Sequence, residues 1–275
     1  GGNVFGVLLD YGQNLDVVNL FESDFYKDYC ARLYDYNQKG YISADASTDT
    51  TAVGELVKAG TLMSYTTGGK PGIKAQETTL TGRDMTIFQT LDDYIGSTSV
   101  AGMPWTIPIS AQHKEAAMKF LNECYSNADV ANLLAWGIEG THYKIGDDGL
   151  ATYADGVDAS NSGWNHSMGW MMPNQFLTHV WEGNDPELWD KMRDFNNNAK
   201  VSKASGFSFD STNVANEITA VQNVYNEYQT SVEYGFVDPE TGIAEMNDKM
   251  MAAGLQKIID EKAAQLAAWQ EANKK

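Results

Sequence analysis

The sequence predicts an α/β fold, in which strands and helices form packed layers. In the first third of the chain, short apolar runs typical of buried strands alternate with apolar stripes of helical spacing. The middle and the end of the chain are richer in helical stripes. A length of 275 residues with 43% hydrophobic side chains allows a sizeable core, arranged as one large domain or two small ones. Together these observations favour a layered α/β architecture.

The chain begins with a strand signal followed by a helix signal. Residues 4–9 form an apolar run closed by Asp10, Tyr11 and Gly12, which predicts a buried strand that delivers its loop to a sheet edge. The next helix carries one stripe made of Tyr26, Tyr29, Cys30, Leu33 and Asn37. Gly40 stands where a helix C-cap belongs.

A second helix and two further strand signals complete the first third. The helix runs from about Thr51 to the stop at Gly60, and residues 61–65 then have the pattern of a strand. Residues 68–72 form a glycine-rich loop that leads towards another strand signal at residues 85–88. The order strand, helix, helix, strand predicts an α/β layered domain.

The middle of the chain predicts a helix pair and a hairpin. One helix begins at Lys114, and the break at residues 126–127 starts the next helix towards Trp136. The first of them has a stripe made of Ala117, Met118, Leu121, Cys124 and Tyr125. Residues 146–149 have the turn chemistry of a β-hairpin. The hairpin is favoured over a calcium loop, because the regular spacing of oxygen ligands is missing.

One long helix is predicted at the end of the chain, from about Ala244 onward. Apolar residues recur along one side of it, namely Met251, Leu255, Ile258, Ile259, Leu266 and Trp269. The two cysteines, Cys30 and Cys124, fall on apolar helix faces. Free buried thiols are therefore favoured over a disulfide, since free cysteine packs as a small hydrophobic side chain.

Charge and hydropathy exclude several classes of partner. The net charge is -18, and no cluster of Lys or Arg interrupts the acidic excess. Nucleic acid and anionic membrane surfaces are not expected partners, because both attract clustered cations. No apolar run is long enough to span a bilayer. The first residues lack an export signal, so we expect either a cytoplasmic protein or a piece whose signal lies upstream.

The motifs of catalytic and metal sites give little support to an enzyme. The four histidines have no metal-ligand spacing, and residues 68–72 lack the Ser or Thr that follows Lys in a phosphate-binding loop. No nucleophile elbow is present in the sequence. We therefore expect no metal and no cofactor. A carboxylate pair for glycoside hydrolysis stays open, although abundant Asp and Glu are the background of any acidic protein.

Aromatic residues are plentiful in segments predicted to be loops. The sequence has 7 Trp and 14 Tyr, and Trp164 and Trp170 stand among Gly, Asn and Ser. Sugar rings have flat apolar faces with hydroxyl groups around the rim, so aromatic planes beside amides and carboxylates make a sugar site. For Trp164 and Trp170, sugar stacking and core packing are both open interpretations.

Five segments of the sequence resemble one protein family. They read KEAAMKFLN (114–122), LLAWGIEGTHY (133–143), NQFL (174–177), PELW (186–189) and LQKII (255–259). These segments resemble the extracellular solute-binding lipoproteins of Gram-positive bacteria, maltose-binding-like proteins of family 1 that carry a C-terminal domain of unknown function. The resemblance covers nearly the whole chain, and it departs at Pro173, where the family usually has glycine.

The resemblance implies a periplasmic-binding-protein-like fold of type II, with two α/β lobes, a hinge and a ligand cleft. This chain is then the C-terminal lobe, a mixed sheet flanked by helices with a helical C-terminal region. Residues 1–104 would begin that lobe. Residues 105–145 would hold the hinge-crossing strand and a helix pair that normally packs on the N-terminal lobe. Residues 146–275 would complete the lobe with the aromatic loop and the terminal helix.

The function that the resemblance implies is that of a receptor for an ABC importer. It would bind an oligosaccharide or another small polar solute, deliver it to a membrane permease and perform no chemistry. The full-length protein would be extracellular and lipid-anchored at the cell surface. A glycoside hydrolase or a ligand-binding sensor of a signalling system is the alternative. Without the first lobe, we expect weak ligand binding or none, and self-association through the helix pair.

The candidate ligand-binding residues lie at predicted strand ends and in the aromatic loop. They are Asp10, Tyr11, Tyr65, Lys70, Trp164 and Trp170. Asp10 and Lys70 have the alternative interpretation of surface charges.

Overall fold

Helices form most of the regular structure in the computed structural model, which describes residues 4–97, 99, 102, 104–164, 166 and 168–274. They are α1 (Asp24–Gln38), α2 (Val53–Ala59), α3 (Ile73–Thr81), α4 (Lys114–Ser126), α5 (Ala128–Trp136), α6 (Leu188–Asn198), α7 (Ala215–Glu233), α8 (Pro239–Ala252) and α9 (Leu255–Ala272). None of these helices combines the length and the apolar composition that a membrane crossing requires.

The strands of the described residues are short and form two pairs. Strand β1 (Tyr94–Ile95) pairs in parallel with β4 (Lys200–Val201). Strands β2 (Tyr143–Ile145) and β3 (Ala151–Tyr153) form an antiparallel hairpin. Parallel and antiparallel pairing therefore both occur, and helices predominate over sheet.

The chain divides into two compact units whose segments alternate along the sequence. The first unit contains the described residues of Gly1–Thr51, Tyr94–Val100 and Lys200–Lys275. The second unit contains those of Ala52–Asp93 and Ala101–Ala199. The division at residues 104/105 and 145/146 that the family resemblance implies stays a prediction.

The core of the first unit lies between α1, α7, α8 and α9. Its fully buried members include Phe5, Phe21, Cys30, Val221, Val232, Met246, Met250, Leu255 and Ile258. Each large apolar side chain contributes about 1.5–3 kcal/mol when it is fully buried. Two tyrosine hydroxyls, of Tyr26 and Tyr225, donate to the carboxylate of Glu233 at 3.1 and 2.8 Å. Burial beside that carboxylate raises the pKa of both tyrosines.

A half-buried lysine in α9 binds the start of the chain to this core. The ammonium of Lys262 donates to the carbonyl oxygens of Phe5 at 2.6 Å and Gly6 at 3.0 Å. It also lies 5.3 Å from the ring centroid of Phe209. Desolvation by burial lowers the pKa of Lys262 to about 8. The lysine thus serves as a structural donor rather than a solvated surface charge.

The second unit is organised around α5 and the β2–β3 hairpin. Asn127 caps α5 by accepting hydrogen bonds from the N–H groups of Asp129 and Val130. The hairpin turn is closed by the N–H of Gly149 donating to the Gly146 carbonyl at 3.0 Å, as its turn chemistry predicts. The predicted hairpin is therefore confirmed.

Most helix predictions from the sequence are confirmed. The helices predicted around Cys30, after Thr51 and after Lys114 correspond to α1, α2 and α4, and the one leading to Trp136 is α5. Gly60 ends α2 in the left-handed conformation, at φ 80°. Cys30 and Cys124 are free and buried, as the apolar stripes predict. Burial raises the pKa of the Cys30 thiol to about 11.

Three strand predictions are wrong. Residues 4–9 make only an isolated bridge between Val7 and Val18, and residues 61–65 and 85–88 belong to no strand of the described residues. The apolar pattern of the last two segments reflects exposed side chains, since Met63 and Phe88 are 94% and 82% exposed. An extended segment without a ladder partner has the same periodicity as a strand.

The single terminal helix predicted from Ala244 onward is also wrong. The chain there forms two helices, α8 and α9, which meet at Gly254. Gly254 has φ 109°, a conformation that L side chains rarely adopt, so it ends the helical geometry. The apolar stripe continues across the break, because both helices face the core of the first unit.

Candidate functional site

A cleft of about 530 Å³ lies entirely within the second unit. Its volume is in the range of small-molecule sites. Aromatic side chains supply much of its wall, namely Trp136, Trp164, Trp181, Trp189 and Tyr153. Polar side chains line it as well, namely Lys70, Gln76, Thr78, Thr79, His142, Ser162, His166, Gln175, Glu182 and Asn184.

Two of the cleft indoles are anchored through their N–H groups to neighbouring carbonyls. The Trp136 Nε1–H donates to the carbonyl of His179 at 3.1 Å, and the Trp189 Nε1–H donates to that of Thr178 at 2.7 Å. Because these donors are satisfied, the ring planes are fixed. Trp181 packs against Trp136, with ring centroids 4.8 Å apart.

A hydrogen-bonded framework supports the segment that carries these anchors. The buried side chain of Asn132 in α5 donates to the Leu177 carbonyl at 3.2 Å and accepts from the His179 N–H at 2.8 Å. The Ala151 N–H donates to the Val180 carbonyl, and the Ala151 carbonyl accepts from the Glu182 N–H, both at 2.8 Å. The aromatic wall is therefore held by α5 on one side and by β3 on the other.

Gly137 makes room for an imidazole and an indole at the end of α5. It has φ 84°, and a Cβ added there would lie 2.6 Å from Nδ1 of His142 and 3.1 Å from Cγ of Trp164. The Ile138 N–H donates to the same Nδ1 at 2.8 Å. In the neutral imidazole the ring proton is then on Nε2, so His142 offers an N–H donor.

Lys70 brings a cation to the cleft from the loop before α3. Its side chain is half-buried, and desolvation lowers its pKa below the ordinary value. Among the described residues, no carboxylate is within salt-bridge distance of the Lys70 ammonium. Gly72, at φ 84°, caps α3, and a Cβ there would lie 3.0 Å from a methyl group of Leu188. The close approach of Gly72 to Leu188, the first residue of α6, therefore places the Lys70 loop.

Tyr65 supports the same loop rather than lining the cleft. Its hydroxyl donates to the carboxylate of Glu77, which is buried in α3. This hydrogen bond, together with burial, raises the pKa of Tyr65 to about 12. The loop that carries Lys70 is thus tied to α3 at one end and continues into it at the other.

The structure brings two of the six predicted site residues, Lys70 and Trp164, together in the cleft. Trp170 is half-exposed and does not belong to the described lining residues. Asp10 and Tyr11 lie in the first unit, in a 3-10 turn at positive φ of 49° and 54°. The Tyr11 ring contacts Tyr94, with centroids 5.6 Å apart.

Several lining residues were not selected from the sequence, above all Trp136, Trp181, Trp189 and His142. Trp136 and Trp189 lie on helical stripes, where core packing is the more frequent role of Trp. A usable signal was the glycine beside an aromatic residue, as in Trp136–Gly137 and Gly163–Trp164. Glycine there lets backbone and neighbouring rings approach closely.

The arrangement has the chemistry of a site for a polar ligand with apolar faces. Fixed indole planes provide stacking surfaces, and the amides, hydroxyls and imidazoles around them donate and accept hydrogen bonds. Pyranose rings have both features. No group of three or more metal-ligating side chains occurs among the described residues.

One family model matches part of the chain. Residues 203–271 match the domain of unknown function DUF3502. Over 256 residues the chain is 27% identical to a carbohydrate ABC transporter substrate-binding protein of Streptococcus pneumoniae serotype 4. That match covers 91% of this chain and 51% of the relative, so the chain spans about half of the relative's length.

Solved structures of one protein share the fold. The N-glycan transport solute binding protein (NgtS) of Streptococcus pneumoniae superposes on this chain with a TM-score of 0.84 at 23% identity. The superposition covers 99% of this chain and 60% of NgtS. Its complex with Man1GlcNAc gives a TM-score of 0.79 at 23% identity, over 98% of this chain and 60% of the other. Its complex with Man5GlcNAc gives a TM-score of 0.78 at 22% identity, over 100% of this chain and 60% of the other.

The comparisons confirm the solute-binding-protein fold and agree with the family resemblance of the sequence. The chain has the fold of a solute-binding protein and is a homologue of a carbohydrate ABC transporter substrate-binding protein. The match to DUF3502 lies at the C-terminal end of the first unit and contains all of α7 and α8 and all but the last residue of α9.

Proposed function

We propose that this chain is the glycan-binding part of an ABC importer receptor and that the cleft of the second unit holds an oligosaccharide. The observation that carries the proposal is the set of four indoles around one cleft, two of them fixed by N–H donation to backbone carbonyls. Rigid aromatic planes beside amides and imidazoles suit pyranose rings. The homology to a carbohydrate-binding transporter component supports the same ligand class.

The proposal is for binding without chemistry. Glycoside hydrolysis ordinarily uses two carboxyl groups that flank the scissile bond. Among the described residues that line the cleft, Glu182 is the only carboxylate. A single exposed carboxylate suits a hydrogen-bond acceptor for sugar hydroxyls, and the relatives are named as binding proteins.

The wider role follows from the homology. We infer that the complete protein is extracellular, lipid-anchored at the cell surface, and delivers its ligand to a membrane permease. Ligand contacts from both parts of such a receptor would stabilise its closed state. The chain spans about half of the relative, so its isolated affinity should be lower than that of the complete protein.

The six candidate residues have different roles in this proposal. Lys70 and Trp164 contact the ligand in the cleft, and Tyr65 positions the loop of Lys70 through Glu77. Trp170 would contribute if the ligand extends beyond the cleft. Asp10 and Tyr11 remain candidate contacts on the first unit.

Calorimetric titration of the 275-residue chain with a panel of neutral and acidic oligosaccharides tests this function. We expect saturable binding of at least one glycan, with no release of reducing ends during prolonged incubation. Appearance of new reducing ends would instead identify a hydrolase, provided that Glu182→Gln abolishes their release. Absence of binding across the panel at millimolar concentration would contradict the glycan proposal.

A further inference from the structure

We propose that the cleft selects an anionic glycan, a sugar carrying a carboxylate or a sulfate ester, and that the Lys70 ammonium binds the anionic group. This inference rests on the proposed glycan-binding function and narrows its ligand class. It starts from a cation that lies in an aromatic cleft of an otherwise strongly acidic protein.

Lys70 differs from several other lysines in its ion pairing. Those lysines pair with nearby carboxylates, as Lys74 does with Asp84 at 3.1 Å and Lys191 does with Glu187 at 3.9 Å. Lys70 has no such partner among the described residues, although 37 acidic residues outnumber 19 basic ones. A half-buried ammonium without a counter-ion carries a desolvation cost that an anionic ligand would offset.

The charge of the cleft as a whole also favours an anionic ligand. Its ionisable lining residues are Lys70, Glu182, Tyr153, His142 and His166. Glu182 is exposed and forms no ion pair with Lys70, so it does not neutralise the ammonium. The cleft therefore offers a cation at its Lys70 end.

The cation shares its cleft with stacking surfaces. Lys70, Trp136 and Trp164 line the same cleft, so one ligand can contact the ammonium and an indole plane together. A free inorganic anion would use only the ammonium and leave the aromatic wall without a contact. A pyranose ring that bears an anionic substituent uses both features.

Three trisaccharides of identical backbone test the inference in the 275-residue chain. One is neutral, one has a carboxylate at the terminal C6, and one has a sulfate ester on the same terminal O6. We expect at least one anionic form to bind about tenfold more tightly than the neutral form, as a charge-assisted hydrogen bond predicts. The carboxylate and sulfate arms identify which anion the site takes.

Lys70→Met should remove this preference, so that anionic and neutral forms bind within about twofold of each other. Lys74→Met is the matched control, because Lys74 lies in the first turn of α3 but pairs with Asp84. The control should keep the preference. Melting temperatures of both variants show whether the fold is retained.

A measurement on the unmodified chain gives an independent readout. Because burial lowers the pKa of Lys70, a bound anion should raise that pKa, whereas the neutral trisaccharide should not. Lysine NMR titration, with Lys70→Met to assign the signal, follows this change even if the variant is less stable.

The outcomes separate the two proposals. Tighter binding of an anionic form that Lys70→Met abolishes supports the inference. Equal binding of all three forms, or a preference that survives in Lys70→Met, overturns it and leaves the glycan-binding function intact. Binding of none of the three, together with failure of the wider panel, overturns both.

Discussion

At the scale of single residues, the geometry of the cleft depends on Gly137. A side chain at this position would meet His142 and Trp164, and its φ of 84° disfavours L residues. We expect Gly137→Ala to reduce glycan affinity several-fold and to destabilise the fold by about 1–3 kcal/mol. Calorimetry and chemical unfolding measure the two effects.

Gly140→Ala provides the control for Gly137→Ala. Gly140 has a similar φ of 78°, but a Cβ there meets nothing within 4 Å. This variant should lose stability through backbone strain while it keeps its glycan affinity. If both variants lose affinity equally, the contact with His142 and Trp164 is not what positions the site.

The half-buried ammonium of Lys262 makes the free energy of unfolding depend on pH. Its folded pKa of about 8 is below its ordinary value of 10.5, so the unfolded chain binds more protons between these two pH values. The charged form therefore costs stability below pH 8, and this cost disappears as the pH rises to 10.5. We expect the unfolding free energy of the natural chain, minus that of Lys262→Met, to increase across this window.

Chemical unfolding of both chains at pH 7.5 and pH 10 checks this prediction. Taking the difference between chains removes the opposite contribution of Cys30, whose pKa is raised. A difference that stays constant or decreases would mean that burial does not control the charge of Lys262.

At the scale of secondary structure elements, the sequence predicted helices better than strands. α1 and α5 each bury one side, which gives their apolar residues helical spacing, whereas only Cys124 of the α4 stripe is buried. The segments at residues 61–65 and 85–88 contain apolar side chains that are exposed in the structure, and periodicity cannot reveal this. The β2–β3 hairpin was predictable because the chemistry of its turn is local.

The helix pair also carries the prediction of self-association. α5 is fastened within the second unit by Asn132, whereas α4 leaves Met118 58% exposed beside Ile109, which is 91% exposed. Burying apolar surface contributes about 25 cal/mol per Å², and two-fold pairing makes a patch its own partner. We expect the 275-residue chain to self-associate and Met118→Asp to weaken the association.

Light scattering over a range of concentrations measures this association. Met63→Asp is the control, because Met63 is 94% exposed but lies outside the groove that Ile107, Ile109 and Met118 line. A chain that stays monomeric at high concentration would contradict the prediction. Equal effects of both substitutions would place the contact elsewhere.

At the scale of the whole molecule, the resemblance of short segments to a protein family predicted the solute-binding fold. The periodicity of apolar residues did not predict it. Alternating patterns suggested an α/β domain, but the solute-binding fold came from motifs such as residues 133–143. This segment has a physical role in the structure. It follows Asn132 in α5, and it contains Gly137 and His142, which shape the cleft.

The candidate site was only partly predictable, because some of its residues come together only in the folded chain. Lys70 and Trp164 stand out locally, as a lysine in a glycine-rich loop and a Trp among polar residues. Trp136, Trp181 and Trp189 become site residues only through contacts between segments far apart in sequence, such as the indole N–H bonds to residues 178 and 179. Sequence spacing does not contain that information.

The most direct test of the central claim follows the indole N–H signals of all seven Trp by NMR during glycan titration. The neutral and anionic trisaccharides serve as ligands for the uniformly ¹⁵N-labelled chain. Single Trp→Phe substitutions assign the signals. The account predicts ligand-dependent shifts for Trp136, Trp164, Trp181 and Trp189, which line the cleft, and none for Trp105 and Trp269. The Trp170 signal reports whether the ligand extends beyond the cleft. Saturable binding that leaves the four cleft signals unchanged would contradict the account.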